Sequence, residues 1–122
     1  MQPTRVLLVD DVEQVRQDLC TLLTLTGNIE IIGEASNGLD AVCLTESLNP
    51  DVVLMDLEMP VLNGYEAAHQ IKTRFPSCRV IALTVHDYES ARAAAHQSGM
   101  DDFLVKGASV ESIVRSISSQ KE

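Results

Sequence analysis

Four short apolar runs punctuate the chain: VLLV at residues 6–9, VVLM at 52–55, VIAL at 80–83 and FLV at 103–105. Each is too short for a buried helix and is continuous rather than alternating, as in a parallel-sheet strand covered on both faces. EIIGEA at 30–35 mixes charge with apolarity and reads as an edge strand with one poorer face. Helical spacing fills the intervals. Val12, Val15, Leu19, Leu22 and Leu23 form one stripe, and Val110, Ile113, Val114 and Ile117 fall at i, i+3, i+4 and i+7. Asn63 with Glu66 resembles a capping box, with Asn in place of Ser or Thr. Asp87 and Ser109 are placed as N-caps, and Gly27 and Gly99 as helix stops. No internal repeat or low-complexity tract interrupts the alternation. The pattern predicts an α/β fold, a (βα)5 doubly wound parallel five-stranded sheet, with order 2-1-3-4-5 if strand 2 lies at an edge.

In such sheets ligands bind beyond the carboxyl ends of the strands. Strand 1 runs into Asp10 and Asp11, strand 3 into Asp56, strand 4 into Thr84 and strand 5 into Lys106, whereas strand 2 runs into Ala35 and Ser36. Behind Asp56 comes a turn-rich segment with Glu58, Pro60, Asn63 and Gly64. Three carboxylates at one rim repel one another unless a cation joins them. Mg2+ suits such a set, because it takes one or two carboxylates, waters and a phosphate oxygen. An open position beside Thr84 and Lys106 suits a phosphoryl group, which makes Asp56 the candidate nucleophile. Taken singly, Asp10 and Asp11 could be helix-start acids, Thr84 a strand-end threonine and Lys106 a surface lysine. Their convergence on one rim favours chemistry.

Composition narrows the classes further. A chain of 122 residues is one domain, long enough to bury about 65–70% of its unfolded surface. Eighteen acids against nine Lys and Arg leave a net charge of −9, which argues against direct binding of nucleic acid by this domain. Cys20, Cys43 and Cys78 match neither a metal knuckle nor a disulfide framework and read as small buried core residues in a reducing compartment. His69, His86 and His96 lack ligand spacing and read as surface residues. The N-terminal MQPTRVLLVDD is no signal peptide, and no run approaches the length needed to span a bilayer, so a cytoplasmic protein without membrane contact is expected. The Ala-rich stretch SARAAAHQSG reads as helix propensity, and its few large apolar anchors suit a movable face.

The ordered set LLVDD, MDLEMPVLNG, ALT and FLVKG, spread over essentially the whole chain, resembles the receiver domain of two-component response regulators. That resemblance implies a flavodoxin-like receiver over residues 1–122 and a signalling switch rather than an enzyme, catalysing only its own phosphorylation and dephosphorylation. It implies that Asp56 accepts a phosphoryl group from the phosphohistidine of a sensor histidine kinase. Mg2+ would be held by Asp10, Asp11 and Asp56 with the backbone carbonyl of Glu58. Thr84 would hydrogen-bond one phosphoryl oxygen, Lys106 would pair with another, and Thr84 with Phe103 would form the switch. ALTVHDYES and FLVKGASVESIVRSI are most similar to regulators with a C-terminal helix-turn-helix DNA-binding output domain. An output domain beyond residue 122 is therefore expected, in transcription regulation, and the polar SSQKE after Ile117 reads as a helix end entering a linker. The helix 4–strand 5–helix 5 face is the expected signalling surface, toward an output domain, a target protein or a dimer partner.

Some residues depart from the family pattern. Gly107 follows Lys106 where many receivers have Pro, so a cis Lys-Pro bond is not implied. Val85 is bulkier than the residue many members place after the Thr and would narrow access to Asp56. Glu58 and His86 stand at variable positions that tune phosphoryl lifetime in the family. Three alternatives stand beside a regulator with its own output domain, the last two fitting less well. A stand-alone receiver acting by docking fits the same residues. An aspartyl-phosphate phosphatase of the haloacid-dehalogenase type needs a second Asp where Glu58 stands, and a cap insertion for which there is no room. A flavodoxin-like cofactor binder lacks a phosphate loop after strand 1, and no G-x-G-x-x-G is present.

Overall fold

The computed structural model describes residues 2–26, 28–85 and 87–119. Strands β1 (Thr4–Val9), β2 (Ile29–Ala35), β3 (Val52–Met55), β4 (Arg79–Thr84) and β5 (Asp102–Val105) alternate with helices α1 (Glu13–Thr24), α2 (Gly38–Leu48), α3 (Gly64–Arg74), α4 (Glu89–Gln97) and α5 (Val110–Ser118). The five strands form one sheet of order β2-β1-β3-β4-β5, and every pairing is parallel. This is the expected doubly wound topology.

Continuous apolar runs become intelligible once both faces are covered. Leu7, Val9, Val53, Met55, Val80 and Ala82 belong to a core with α2 and α3, together with Ala67, Ala68 and Ile71. Their alternate neighbours Val6, Leu8, Val52, Leu54, Ile81 and Leu83 pack with Leu23, Ile113 and Ile117 of α1 and α5. Successive strand side chains point to opposite faces, so a strand buried twice needs an apolar residue at every position. FLV departs from this reading, because all of β5 is only half-buried. It is the second edge of the sheet, with a neighbour on one side only.

Several local expectations hold and others change. Asn63 accepts from the amide of Glu66 at 3.0 Å and Ser109 from that of Ser112 at 3.1 Å, both as N-caps. Asp87 is not a cap. Helix α4 starts later, with Tyr88 at its N-cap, and the Asp87 carboxylate instead accepts from Arg92 Nε at 2.7 Å. Gly99 follows α4 with φ +91° and donates its amide to His96 at 3.0 Å, as a helix stop does. Gly27 and His86 lie outside the described residues. In the stripe of α1, Leu23 is buried but Val12 and Leu22 are 47% and 43% exposed. Val12 stands before the helix as its N-cap, so its side chain does not follow the helical face.

The opposite end of the sheet is closed by three cations, two of which satisfy helix C-terminal carbonyls. Arg5 donates to the carbonyls of Leu48 and Asn49 at 2.8 and 2.7 Å. Arg79 donates to those of Ser116 and Ile117 at 2.9 and 3.2 Å. Lys72 reaches the carbonyl of Cys78 at 2.8 Å and Asp101 at 3.0 Å. With that end spent on structure, the carboxyl ends of the strands remain for chemistry. Among the described residues no helix is long and apolar enough to cross a membrane.

The cysteines do not share one environment. Cys78 is buried, Cys20 half-buried and Cys43 exposed, because Cys43 falls on the outer face of α2. Burial pushes the Cys78 thiol up from its ordinary 9.0 to about 11. In that interval the unfolded chain loses a proton that the fold retains, so this thiol makes stability fall as pH rises. Urea unfolding at pH 8 and 10 is expected to show a smaller alkaline loss in Cys78→Ala than in the parent. An equal loss would assign the effect to other groups. Native alkylation at pH 8 is expected to mark Cys43 first and Cys78 only on unfolding.

Candidate functional site

Two central strands aim their following residues at one point. The amide of Asp10 donates to Ala35 O at 3.1 Å, which extends β1 beside β2, and that of Asp56 donates to Val9 O at 2.9 Å, which extends β3 beside β1. Both acids are therefore carried on ladder hydrogen bonds rather than on free loops. They are 3% and 8% exposed, values that a carboxylate tolerates only with partners. Asp10 Oδ1 accepts from the Val12 amide at 2.9 Å, and Asp56 Oδ1 accepts from the Glu58 amide at 3.4 Å. Asp11 is exposed at the rim. One carboxylate oxygen from each of Asp10, Asp11 and Asp56 lies within 4.8 Å of the others.

A cation already reaches into this cluster. Lys106 Nζ lies 2.8 Å from Asp10 Oδ2 and 3.4 Å from Asp56 Oδ2. It gets there because its amide donates to Thr84 O at 2.6 Å, which keeps the end of β5 level with β4. Burial pushes the Asp56 carboxyl above its ordinary value, and Asp10 adds to that, against the opposing pull of Lys106 and the Glu58 amide. Burial alone would lower the Lys106 ammonium; the hydrogen bond to Asp10 and the charges of Asp56 and Asp10 outweigh it and hold the group above its usual value. The donor set is three hard oxygen ligands with one side open to solvent, which fits a small divalent cation better than a soft metal.

The chain matches the response regulator receiver domain family over residues 6–118. It belongs to that family. The nitrate/nitrite response regulator NarL of Escherichia coli K12 is 33% identical over 116 residues, which are 95% of this chain and 54% of that protein. The chain thus spans about half the length of this curated relative. The signal receiver domain of the response regulator NarL from Mycobacterium tuberculosis superposes with a TM-score of 0.92 at 30% identity, covering 96% of this chain and 94% of that one. A DNA-binding response regulator of the LuxR family from Staphylococcus aureus has a TM-score of 0.88 at 32% identity, covering 93% and 95% of the two chains.

The remaining site candidates of this receiver domain have varied surroundings. Thr84 is 1% exposed at the end of β4, whereas the next residue, Val85, is 64% exposed at the rim. Phe103 is half-buried opposite Ala82, with the Arg92 guanidinium 4.6 Å above its ring centre, so a cation of α4 covers it. No cis peptide occurs among the described residues, so Lys106–Gly107 is trans, with Gly107 at φ +101°. Glu58 is exposed beside the acids.

Behind Asp56, residues 57–63 are pinned at both ends. The amide of Gly64 donates to Leu57 O and that of Gly38 to Leu62 O, each at 2.9 Å. Between them Leu62 N donates to Pro60 O at 2.7 Å around Val61 at φ +70°. This tight turn of the receiver domain forces a β-branched residue into left-handed space, which costs about 1–3 kcal/mol. A pattern reading expects Gly at such a position and so misses it. It also misses Arg16, whose Nη1 donates to the Asp10 carbonyl at 2.6 Å. The available signal was a cation lying on the apolar stripe of α1, one turn after Val12 and three residues before Leu19.

Proposed function

We propose that this receiver domain is a phosphorylation-dependent switch of a two-component system, with Asp56 as phosphoacceptor and Asp10, Asp11, Asp56 and the Glu58 carbonyl as the Mg2+ ligands. The observation that carries the reading is the acid cluster itself: three carboxylates within 4.8 Å, with Lys106 drawn onto two of them. Mg2+, when bound there, would neutralise the acids and the incoming phosphoryl oxygens. An Asp56 oxygen attacks phosphorus as the bond to the phosphohistidine nitrogen of a sensor histidine kinase breaks. The departing imidazole keeps the electron pair and takes up a proton. Lys106 and Thr84 stand at neighbouring strand ends, where each can bond one of the transferred oxygens.

Phosphorylation adds about −1.5 to −2 charges and strong acceptors at Asp56. Thr84 moving toward them would leave space for Phe103, which would have to come out from under Arg92. That exchange couples the site to α4, β5 and α5 and biases a two-state equilibrium. Relatives about twice as long and a net charge of −9 together support control of a separate DNA-binding output domain, with no nucleic acid held by the receiver itself. A target protein docking on the α4–β5–α5 face is the second reading, favoured by the half-exposed β5 edge.

Acetyl phosphate with Mg2+ is expected to add one acid-stable, base-labile phosphoryl group per chain by intact mass, and none in EDTA. A chain left unmodified with Mg2+ present would overturn the reading. Because Lys106 occupies oxygens that a metal would use, Lys106→Met is expected to bind Mg2+ at least about fivefold more tightly, one unit charge near a partly exposed site amounting to about a kcal/mol or more. The same variant is expected to melt lower than its parent in EDTA, since two buried acids lose their counter-ion. Weaker Mg2+ binding would mean that the lysine does not compete.

A further inference from the structure

Arg16 lies on the core-facing side of α1 with its side chain only 15% exposed. Its Nη1 donates to the Asp10 carbonyl at 2.6 Å, and its Nε to Glu34 Oε1 at 2.9 Å. The same acid is gripped from the other side, since the Asp10 amide donates to Ala35 O at 3.1 Å, and Ala35 is the residue after Glu34. A closed ring of contacts therefore joins the end of β1, the first turns of α1 and the end of β2.

What that ring holds is the peptide between Asp10 and Asp11. The unit is planar, so fixing its carbonyl oxygen fixes the plane from which the Asp11 side chain departs. The three acids differ in how they are held. Asp10 has the Val12 amide and Lys106, and Asp56 has the Glu58 amide and Lys106. The Asp11 carboxylate has no hydrogen bond or ion pair among the described residues, yet it lies within 4.8 Å of the other two. With no side-chain partner of its own, its place in the cluster depends on its backbone, and Arg16 is the side chain that bonds the carbonyl leading into it.

We propose that Arg16 is a positioning residue for the cation site: by holding the Asp10–Asp11 peptide it keeps the Asp11 carboxylate within ligand distance of Asp10 and Asp56. This rests on the reading of the acid cluster as a Mg2+ site. A bland alternative makes Arg16 a clamp of α1 on β2, relevant to stability alone. A second alternative is purely electrostatic, and it has the opposite sign, because removing a positive charge near three acids would tighten cation binding.

The experiment is calorimetric titration of MgCl2 into the parent chain, Arg16→Met, Arg16→Lys and Glu34→Gln, with melting of each in EDTA. Loss of a group that orients a ligand typically weakens metal affinity about 10–100-fold. Arg16→Met is expected to fall in that range, and Arg16→Lys, whose ammonium can still donate to the carbonyl, is expected to recover most of the loss. Glu34→Gln leaves Arg16 in place without its ionic anchor and is expected near the lower end of the range. Affinity in Arg16→Met equal to or tighter than the parent's, at any melting temperature, overturns the proposal. If Arg16→Met does not fold, Glu34→Gln decides in its place, and unchanged affinity there is equally fatal. A parent chain that binds no Mg2+ would instead sink the reading of the site, a failure seen before any variant is compared.

Discussion

Asp56→Asn is expected to take up no phosphoryl group from acetyl phosphate and to be at least as stable as its parent without metal. The first half follows from chemistry, since an amide nitrogen or oxygen is no nucleophile toward phosphorus under these conditions, whereas a carboxylate is. The second half follows from the fold. Burial and Asp10 hold the Asp56 carboxyl above its ordinary 3.8, although Lys106 and the Glu58 amide pull the other way. An acid whose pKa is raised by folding binds its proton more tightly in the native state, so its contribution to stability falls as pH rises from 3.8 through the native value. At neutral pH the ionised group is thus a net cost, and the isosteric amide removes it. Intact mass after incubation with acetyl phosphate and Mg2+ reads the first outcome, and urea unfolding in EDTA at pH 7 the second. Full modification of Asp56→Asn would move the nucleophile elsewhere. A marked drop in its unfolding midpoint would mean that the pair with Lys106 outweighs burial.

The other large effect is expected at Gly64→Ala, which should cost about 3 kcal/mol or more and should also impair Mg2+ binding. A Cβ on Gly64 would stand 2.3 Å from the carbonyl oxygen of Asp56 and 2.7 Å from Leu57 Cα. Both obstacles are backbone, so no side-chain rotation relieves them. Helix α3 would have to withdraw from the end of β3, breaking the bond from the Gly64 amide to Leu57 O and turning the peptide that carries Asp56. The left-handed argument for glycine does not apply here; the reason is space. Unfolding in urea and MgCl2 titration check the two effects, and a stable Gly64→Ala chain with parental Mg2+ affinity would show that the β3–α3 connection yields without reaching the acids.

The order of strands and the polar residues at their ends were legible in the sequence for the same reason. A strand buried on both faces must be apolar throughout, so VLLV, VVLM and VIAL stand out, and whatever polar residue ends the run is visible against it. FLV looked the same on the page but forms an edge strand, half-buried throughout. A run of three apolar residues carries no record of how many neighbours it will have. Cys43 and Val12 were misplaced for a related reason. Both satisfy an apolar reading, but Cys43 falls on the outer face of α2, which is set by the side of the helix that meets the sheet, and Val12 stands before the first turn of α1, a boundary that a shift of one residue decides.

Sequence by itself determined the parallel α/β class, the register of apolar positions with each core layer, and the delivery of Asp10, Asp11, Asp56, Thr84 and Lys106 to strand ends, because these depend on period and chain order. Tertiary structure alone decided which of those groups touch. Lys106 meets Asp10 more closely than Asp56, Phe103 lies beneath Arg92, Val61 is held at φ +70°, and Arg16 grips the peptide that leads into Asp11. Such contacts join residues from different strands and helices. Their distances depend on how the sheet twists and how the helices seat against it, quantities that no local pattern of residues encodes.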